Sequence, residues 1–250
     1  MSSSSVAVKE PAYFKIEMET RDLMQELIGW TAFGFSLIFY INPFHKFYNL
    51  FKEKISIEET PIGLVSLSYI SCFCWYIYSD MLSCNPIKIS NLVGTVINGF
   101  WIIIYLYYEI KEYLKDAILN ALITISGSYL IYLVLDTIIE NDETVGKICI
   151  GVVCILCIFQ IRTIFKTLAE KNLIYIDINH SWLTLTTVTL WGIYGYMVNE
   201  LYVVFPQVLF GSMAIAEITI FAHYKNNKYY TKDMKKNIPN PVSDHKNDDK

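Results

Sequence analysis

The sequence has few charged residues and little of the polar surface that a soluble protein needs. Only 18% of its 250 residues are Asp, Glu, Lys or Arg, whereas 54% are hydrophobic and the mean hydropathy is +0.35. Such a composition does not cover the core of a soluble domain of this length. Apolar segments of about 20 residues cross the hydrocarbon layer as helices. We predict seven such spans, at about 25–44, 61–83, 91–108, 116–138, 145–165, 181–199 and 202–223.

Motifs for catalysis and for cofactor binding are also missing. The sequence has no phosphate-cradling glycine-rich loop, no H-E-x-x-H, and no Ser/His/Asp set on one side of the membrane. Its six cysteines lie in or beside apolar spans, without a nearby pair of histidines to complete a metal site. The net charge is −4, and basic residues are not clustered on one face. We therefore expect no enzyme activity, no cofactor, no metal and no nucleic-acid partner, and the lipid bilayer as the first partner.

Basic residues in the short loops predict the orientation in the membrane. With the amino terminus outside, the outer loops hold only Lys88 and Lys147. The inner loops and the membrane-proximal inner tail hold the larger set, Lys46, Lys52, Lys54, Lys111, Lys115, Arg162, Lys166, Lys171, Lys225, Lys228, Lys232, Lys235 and Lys236. This asymmetry predicts an extracytosolic amino terminus and a cytosolic carboxyl terminus. The first span follows acidic residues rather than a basic start, so we expect a permanent span and not a cleaved signal peptide. We favour the plasma membrane over internal membranes.

The sequence contains an internal repeat at an offset of 116 residues. The repeated positions keep a hydroxyl, a Trp, a Tyr, a carboxamide and a second Tyr: they are Ser71 and Thr187, Trp75 and Trp191, Tyr78 and Tyr194, Asn91 and Gln207, and Tyr108 and Tyr224. Three spans thus match three others, and the fourth is a linker. Because one linker span joins two copies of three spans each, both copies have the same orientation in the membrane. This predicts parallel repeats about an axis along the membrane normal.

The repeat predicts a binding chamber between the two halves. Ser71 and Trp75 are four residues apart and share a helix face, as do Thr187 and Trp191. Across a pseudo-twofold axis, these side chains and the amides of Asn91 and Gln207 would line one cavity. Flat indole faces and neutral hydrogen-bonding groups suit an uncharged polyol. The alternative is that the two tryptophans are interfacial anchors, but both lie in the middle of their spans.

At these residues the sequence resembles the SWEET sugar transporters. That family carries a W-x-x-Y-G-like element in each half, and here the elements are residues 75–78 and 191–195. The resemblance implies an all-α membrane protein of seven transmembrane helices, with two parallel three-helix-bundle repeats joined by a linker helix (3+1+3). It implies a sugar pocket formed by Ser71, Trp75, Asn91, Thr187, Trp191 and Gln207. It also implies that Tyr78 and Glu200 close the outer gate.

The predicted organisation follows from the repeat and the resemblance. It comprises an extracytosolic tail (1–24), a first three-helix repeat (25–108), a linker helix with its loops (109–144), a second repeat (145–224) and a disordered cytosolic tail (225–250). Two features depart from the family pattern. Gln207 replaces the usual Asn, so the amide is kept but the side chain is one methylene longer. The hinge prolines Pro43 and Pro61 have no partners in the second half, so we expect the first half to bend more.

We predict facilitative uniport of a mono- or disaccharide by alternating access, with association of identical protomers left open. The first alternative is a proton-coupled PQ-loop-type carrier of amino acids or their derivatives, suggested by Pro206-Gln207 and by Glu217 within the seventh span. An intramembrane carboxylate is a functional hypothesis by default. We nevertheless favour a structural role for Glu217 over a proton site. The second alternative, a non-transporting seven-span receptor, is disfavoured because the proposed pocket is neutral.

Overall fold

The computed structural model describes residues 12–42, 44, 48, 62–112, 118, 122, 124–129, 132 and 142–225. The predicted hinge residues Pro43 and Pro61 lie outside the described residues, as do most of the predicted linker helix and the carboxyl-terminal tail. The described parts of the linker, which include 124–129, are helical.

Six long α-helices account for nearly all of the described chain. They are α1 (Ala12–Ile41), α2 (Ile62–Met81), α3 (Asn85–Glu112), α4 (Asp142–Glu170), α5 (Ile178–Met197) and α6 (Leu201–Lys225), with a 3₁₀ turn at Leu173–Tyr175 between α4 and α5. Within the described ranges, four segments are long and apolar enough to cross a membrane, namely Thr20–Ile41, Asn85–Tyr107, Asp142–Glu170 and Leu201–Lys225. The prediction of an all-helical fold is confirmed for the residues that the structure describes.

Several helices extend beyond the apolar spans. The first begins at Ala12 rather than near residue 25, and α3 begins at Asn85 rather than near residue 91. An α-helix satisfies its backbone hydrogen bonds within itself and can therefore continue where its side chains become polar. The hydropathy pattern locates only the part of a helix that suits the hydrocarbon layer. Part of the segment predicted as an amino-terminal tail is thus helical.

The helices pack as two units of the same arrangement. In the first unit α1 and α2 each pack against α3, and in the second unit α4 and α5 each pack against α6. Between the units, α1 packs against α5 and α2 packs against α4. The first helix of each unit therefore contacts the second helix of the other. This reciprocal packing is what a pseudo-twofold axis between repeats requires.

The turns before α3 and α6 repeat the same unusual backbone geometry. Ser83 and Asn199, 116 residues apart, both have positive φ values, 56° and 62°. The next residues, Cys84 and Glu200, donate backbone hydrogen bonds of 3.0 and 2.9 Å to carbonyls five residues earlier. This is the bond that closes a Schellman-type helix end. The repeat therefore extends from side chains to backbone conformation.

Two glycines allow α1 and α4 to approach closely the first turns of α3 and α6 in their own units. A Cβ atom on Gly29 would lie 2.8 Å from Pro86 and 2.7 Å from Tyr194. A Cβ atom on Gly146 would lie 2.8 Å from the Tyr202 ring. Because Pro86 and Tyr202 are equivalent in the repeat, α1 and α4 meet the same structural feature.

Candidate functional site

The two repeated tryptophans occupy equivalent, buried environments. Trp75 and Trp191 are only 9% and 8% exposed, and both belong to one continuous core that also contains Tyr78 and Tyr194. Each indole meets its own tyrosine edge-on, with ring centroids 5.6 Å apart for Trp75 and Tyr78 and 5.7 Å apart for Trp191 and Tyr194. Both indoles are thus enclosed by helices rather than exposed on the outer surface.

The repeated carboxamides share one hydrogen-bonding geometry. Asn91 Nδ2 donates to the Ile87 carbonyl at 2.9 Å, and Gln207 Nε2 donates to the Val203 carbonyl at 3.1 Å. In the described part of the chain, neither side-chain carbonyl oxygen accepts a hydrogen bond. Each amide therefore keeps an acceptor and a second N–H for a ligand. Gln207 begins its side chain close to α5: a Cβ atom placed on Gly192 would lie 3.6 Å from the Gln207 Cβ.

The repeated hydroxyls differ in burial. Ser71 is 8% exposed on α2, whereas Thr187 on α5 is half-buried and donates to the Leu183 carbonyl at 2.8 Å. Both lie one helical turn before their tryptophan, as the four-residue spacing predicts. Each hydroxyl is therefore on the same helix face as its indole.

The sequence alone does not indicate one polar partner of the candidate site, the residue that accepts the Trp191 N–H. Trp191 Nε1 donates a 2.9 Å hydrogen bond to Ser36 Oγ on α1, and Ser36 is only 3% exposed. The residue equivalent to Ser36 in the repeat is Val152, which carries no hydroxyl. Comparison of α1 with α4 at the 116-residue offset would have marked Ser36 as a polar exception.

The predicted gate residues are in contact across the two units. Tyr78 Oη donates to Glu200 Oε2 at 3.0 Å, and Tyr78 is 1% exposed. Glu200 directly precedes α6, where the positive end of the helix dipole favours a carboxylate. At the equivalent contact, the Tyr194 hydroxyl and the Cys84 thiol form a side-chain hydrogen bond. Burial raises the pKa of the Cys84 thiol, so this second contact is neutral at physiological pH.

The seam between α1 and α5 carries polar contacts along its length. At one end, Arg21 Nη2 and Gln25 Nε2 donate to the Met197 carbonyl at 3.0 and 2.7 Å. At the other end, Asn42 Nδ2 and His180 Nδ1 lie 3.1 Å apart. With the Ser36–Trp191 bond between them, these contacts join the first and second units from end to end.

Glu217 lies in a buried polar cluster of the second unit. It is 7% exposed, and its two oxygens accept hydrogen bonds from Ser181 Oγ at 2.6 Å and from Gln160 Nε2 at 3.2 Å. The cluster joins α6 to α5 and α4. The equivalent positions in the first unit are apolar, namely Phe44, Val65 and Trp101. Both donors to Glu217 are neutral.

The first unit contains a different buried polar cluster. Cys72 Sγ lies 3.8 Å from Tyr40 Oη and 3.7 Å from Asn98 Nδ2. These residues join α2 to α1 and α3. Each unit therefore has its own cluster of buried polar side chains that connects its three helices. Over the described ranges, no group of three or more His, Cys, Asp or Glu side chains could hold a metal ion.

Comparisons with known proteins agree with this architecture. The model of the family described as "Sugar efflux transporter for intercellular exchange" matches residues 26–113, which include most of the first unit. The chain is 24% identical to bidirectional sugar transporter SWEET13 of Oryza sativa subsp. japonica, over 82% of this chain and 68% of that protein. It is 28% identical to bidirectional sugar transporter SWEET14 of Arabidopsis thaliana, over 90% and 82%. It is 22% identical to sugar transporter SWEET1 of Dictyostelium discoideum, over 84% and 97%.

A solved structure of a eukaryotic SWEET transporter has the same fold. The TM-score is 0.73 at 15% sequence identity, and the match covers 83% of this chain and 100% of that one. The fold and the paired sites define a multi-pass membrane protein of the 3+1+3 class, with two three-helix bundles and a linker helix. Within that class, the family model over residues 26–113, the curated relatives and the structural match all show similarity to SWEET transporters.

Proposed function

We propose that the protein carries mono- or disaccharides across a membrane by facilitative uniport with alternating access. The observation that carries this proposal is the pair of buried tryptophans, each followed 16 residues later by a carboxamide that keeps hydrogen-bonding capacity. The similar proteins named as sugar transporters support the same substrate class.

Each residue type of the site suits one part of a sugar. An indole ring offers an apolar face to the C–H side of a pyranose, and Trp75 and Trp191 supply one such face from each unit. Asn91 and Gln207 orient the hydroxyls through neutral donors and acceptors, and Ser71 and Thr187 add hydroxyl contacts. A neutral site has no need of a counter-ion when it binds an uncharged sugar.

Transport then requires the two units to rock about the bound sugar. The Tyr78–Glu200 contact closes the outer end in the present conformation, and its loss would open that end. In the sequence, Pro43 and Pro61 have no prolines at the equivalent positions of the second unit, so we expect the first unit to bend more at these hinges. The sugar gradient sets the direction. We place the amino terminus outside and the carboxyl terminus in the cytosol, with the plasma membrane as the site of action.

Uptake of labelled sugars tests the proposal. Glucose and sucrose uptake is measured in cells that lack their own hexose carriers, for the wild type, Asn91→Ala and Trp191→Ala, with surface expression determined in parallel. Trp182→Ala is the matched control, because Trp182 lies on the same helix and is 54% exposed. We expect uptake by the wild type and the control, and its loss in the two site variants. Absence of uptake by a well-expressed wild type would contradict the proposal.

The second candidate is a proton-coupled carrier of amino acids or their derivatives. The observation that favours it is the burial of Glu217 inside α6. Against it, both oxygens of Glu217 accept hydrogen bonds within the second unit, so the side chain has a structural role without any substrate. Sugar uptake that does not change with external pH or with an uncoupler would exclude coupling.

A further inference from the structure

The Ser36 side chain is placed to hold one of the two candidate pocket indoles. Its hydroxyl donates to the Ala32 carbonyl at 3.0 Å on its own helix, so its proton is directed away from the indole. The oxygen then accepts the Trp191 Nε1–H at 2.9 Å from the opposite unit. Ser36 and Ala32 are both buried, at 3% and 0% exposure. The acceptor is therefore oriented by its own helix before the indole reaches it.

The dependence between the two side chains is unequal. The Ser36 hydroxyl is already satisfied by a carbonyl one turn earlier, as is usual for serine within helices. The indole nitrogen has only one proton, and burial without an acceptor would leave it unsatisfied. Loss of Ser36 would therefore leave the Trp191 N–H without an acceptor, whereas loss of Trp191 would leave the Ser36 hydroxyl bonded to its own helix. A role for Ser36 in orienting the indole fits this asymmetry better than a role in stabilising α1 alone.

The other indole has no such partner at the equivalent position. The repeat places Val152, which is 8% exposed, where Ser36 would be. Among the described residues, the Trp75 N–H makes no hydrogen bond, yet no buried side-chain nitrogen or oxygen lacks a partner. It follows that the Trp75 N–H is accessible. The two tryptophans are thus alike in burial and ring contacts but different in the state of their N–H groups.

We propose that Ser36 is a positioning residue that fixes the Trp191 ring and makes the sugar site asymmetric. Trp191 then offers only a fixed apolar face, whereas Trp75 offers a face and an N–H that can donate to a hydroxyl or ring oxygen of the sugar. The bound sugar therefore has a preferred orientation between the two units. This inference rests on the proposed sugar-transport function and assigns a residue that the repeat itself does not mark as part of the pocket.

The repeat supplies matched variants for the test. Ser36→Val places in the first unit the residue that the second unit carries, Ser36→Thr keeps the hydroxyl, and Val152→Ser offers Trp75 the acceptor that it lacks. Sugar uptake is measured as a function of concentration and normalised to surface expression, and sugar binding to the purified protein is measured by equilibrium titration. Ser36→Ala serves as the second loss-of-hydroxyl variant if Ser36→Val does not reach the membrane.

We expect Ser36→Val and Ser36→Ala to raise KM and the dissociation constant about five- to tenfold, the effect of one hydrogen bond. The maximal rate per transporter should stay within about twofold, and Ser36→Thr should retain the wild-type KM. Val152→Ser should also raise KM, because it takes the Trp75 N–H away from the sugar. A role confined to folding would lower surface expression without this separation of KM from maximal rate.

The outcomes separate this inference from the proposed function. A wild type that binds and transports no sugar overturns the proposed function. A wild type that transports sugar, with unchanged KM in Ser36→Val and Ser36→Ala, overturns the positioning role alone. A fall in maximal rate at constant KM also overturns it, since the bond would then serve the movement of the α1–α5 seam and not the pocket.

Discussion

Tyr78 of the first unit donates a hydrogen bond to Glu200 of the second, whereas the equivalent Tyr194 of the second unit meets the thiol of Cys84. The two contacts occupy the same place in the repeat, but only one involves a carboxylate. Hydrogen bonds to charged groups are about twice as strong as neutral ones. The Tyr78–Glu200 contact is therefore expected to contribute more to closure of the outer end.

The first prediction concerns this outer gate. Tyr78→Phe and Glu200→Gln should increase the outward-open population by about ten- to a hundredfold, because such a bond is worth about 1.5–3 kcal/mol. Tyr194→Phe should have a smaller effect. The measurement is the rate at which a membrane-impermeant maleimide labels half-buried Cys84, in a Cys154→Ser background. Tyr76→Phe on the same helix is the control, and equal labelling rates in Tyr78→Phe and the wild type would contradict the gate.

The second prediction concerns the length of the Gln207 arm. Gln207→Asn removes one methylene and should enlarge the pocket, so the ratio of sucrose to glucose uptake should rise. Asn91→Gln at the equivalent position should lower that ratio. A single methylene in a binding pocket discriminates by about 1–3 kcal/mol, which corresponds to about tenfold or more in specificity. Competition between the two labelled sugars provides the measurement, and a ratio that both variants leave unchanged would show that neither amide limits the size of the substrate.

The third prediction concerns the buried cluster around Glu217. Glu217→Gln keeps an oxygen acceptor and should retain sugar uptake, whereas Glu217→Leu leaves Ser181 and Gln160 without their common partner. The loss should cost about 1–3 kcal/mol of stability. Thermal unfolding of the purified protein measures this cost, and uptake with and without an uncoupler measures coupling. If Glu217→Gln folds normally but no longer transports, the proton-coupled alternative gains support over the structural role.

The fourth prediction concerns the close approach at Gly29. A methyl group there would lie 2.8 Å from the rigid Pro86 ring, so Gly29→Ala should destabilise the protein. Overpacking of this kind costs about 1–3 kcal/mol. Gly34→Ala on the same helix is the control, because nothing lies within 4 Å of a Cβ atom at that position. Both are compared by thermal unfolding in detergent, and equal midpoints for the two variants would contradict the predicted clash.

The sequence was sufficient to predict the helices and the repeat, and the comparisons agree with the resemblance that its motifs indicate. Apolar segments of membrane-spanning length identify helices because lipid offers the backbone no other partner. Trp75 and Trp191 identify the repeat because large aromatic residues at one fixed offset rarely match by chance. The roles of the six proposed pocket residues and of the gate remain predictions.

Polar contacts that neither the repeat nor the family resemblance indicates could not be predicted. Ser36 and Trp191 are separated by 155 residues, and a serine in a membrane helix can satisfy itself on its own backbone. Its sequence neighbours therefore carry no sign of a partner. The same holds for Glu217, whose donors Ser181 and Gln160 lie 36 and 57 residues away. Polar pairs across helices depend on packing angles that hydropathy does not encode.

The unequal contacts at Tyr78 and Tyr194 distinguish the fused chain from a homodimer of either unit. Two copies of the first unit would pair tyrosine with cysteine at both of these contacts. Two copies of the second unit would bring two Glu200 carboxylates to the same mouth, where like charges repel. Covalent fusion of two diverged copies supplies one carboxylate and one thiol, a combination that a homodimer of either copy cannot produce.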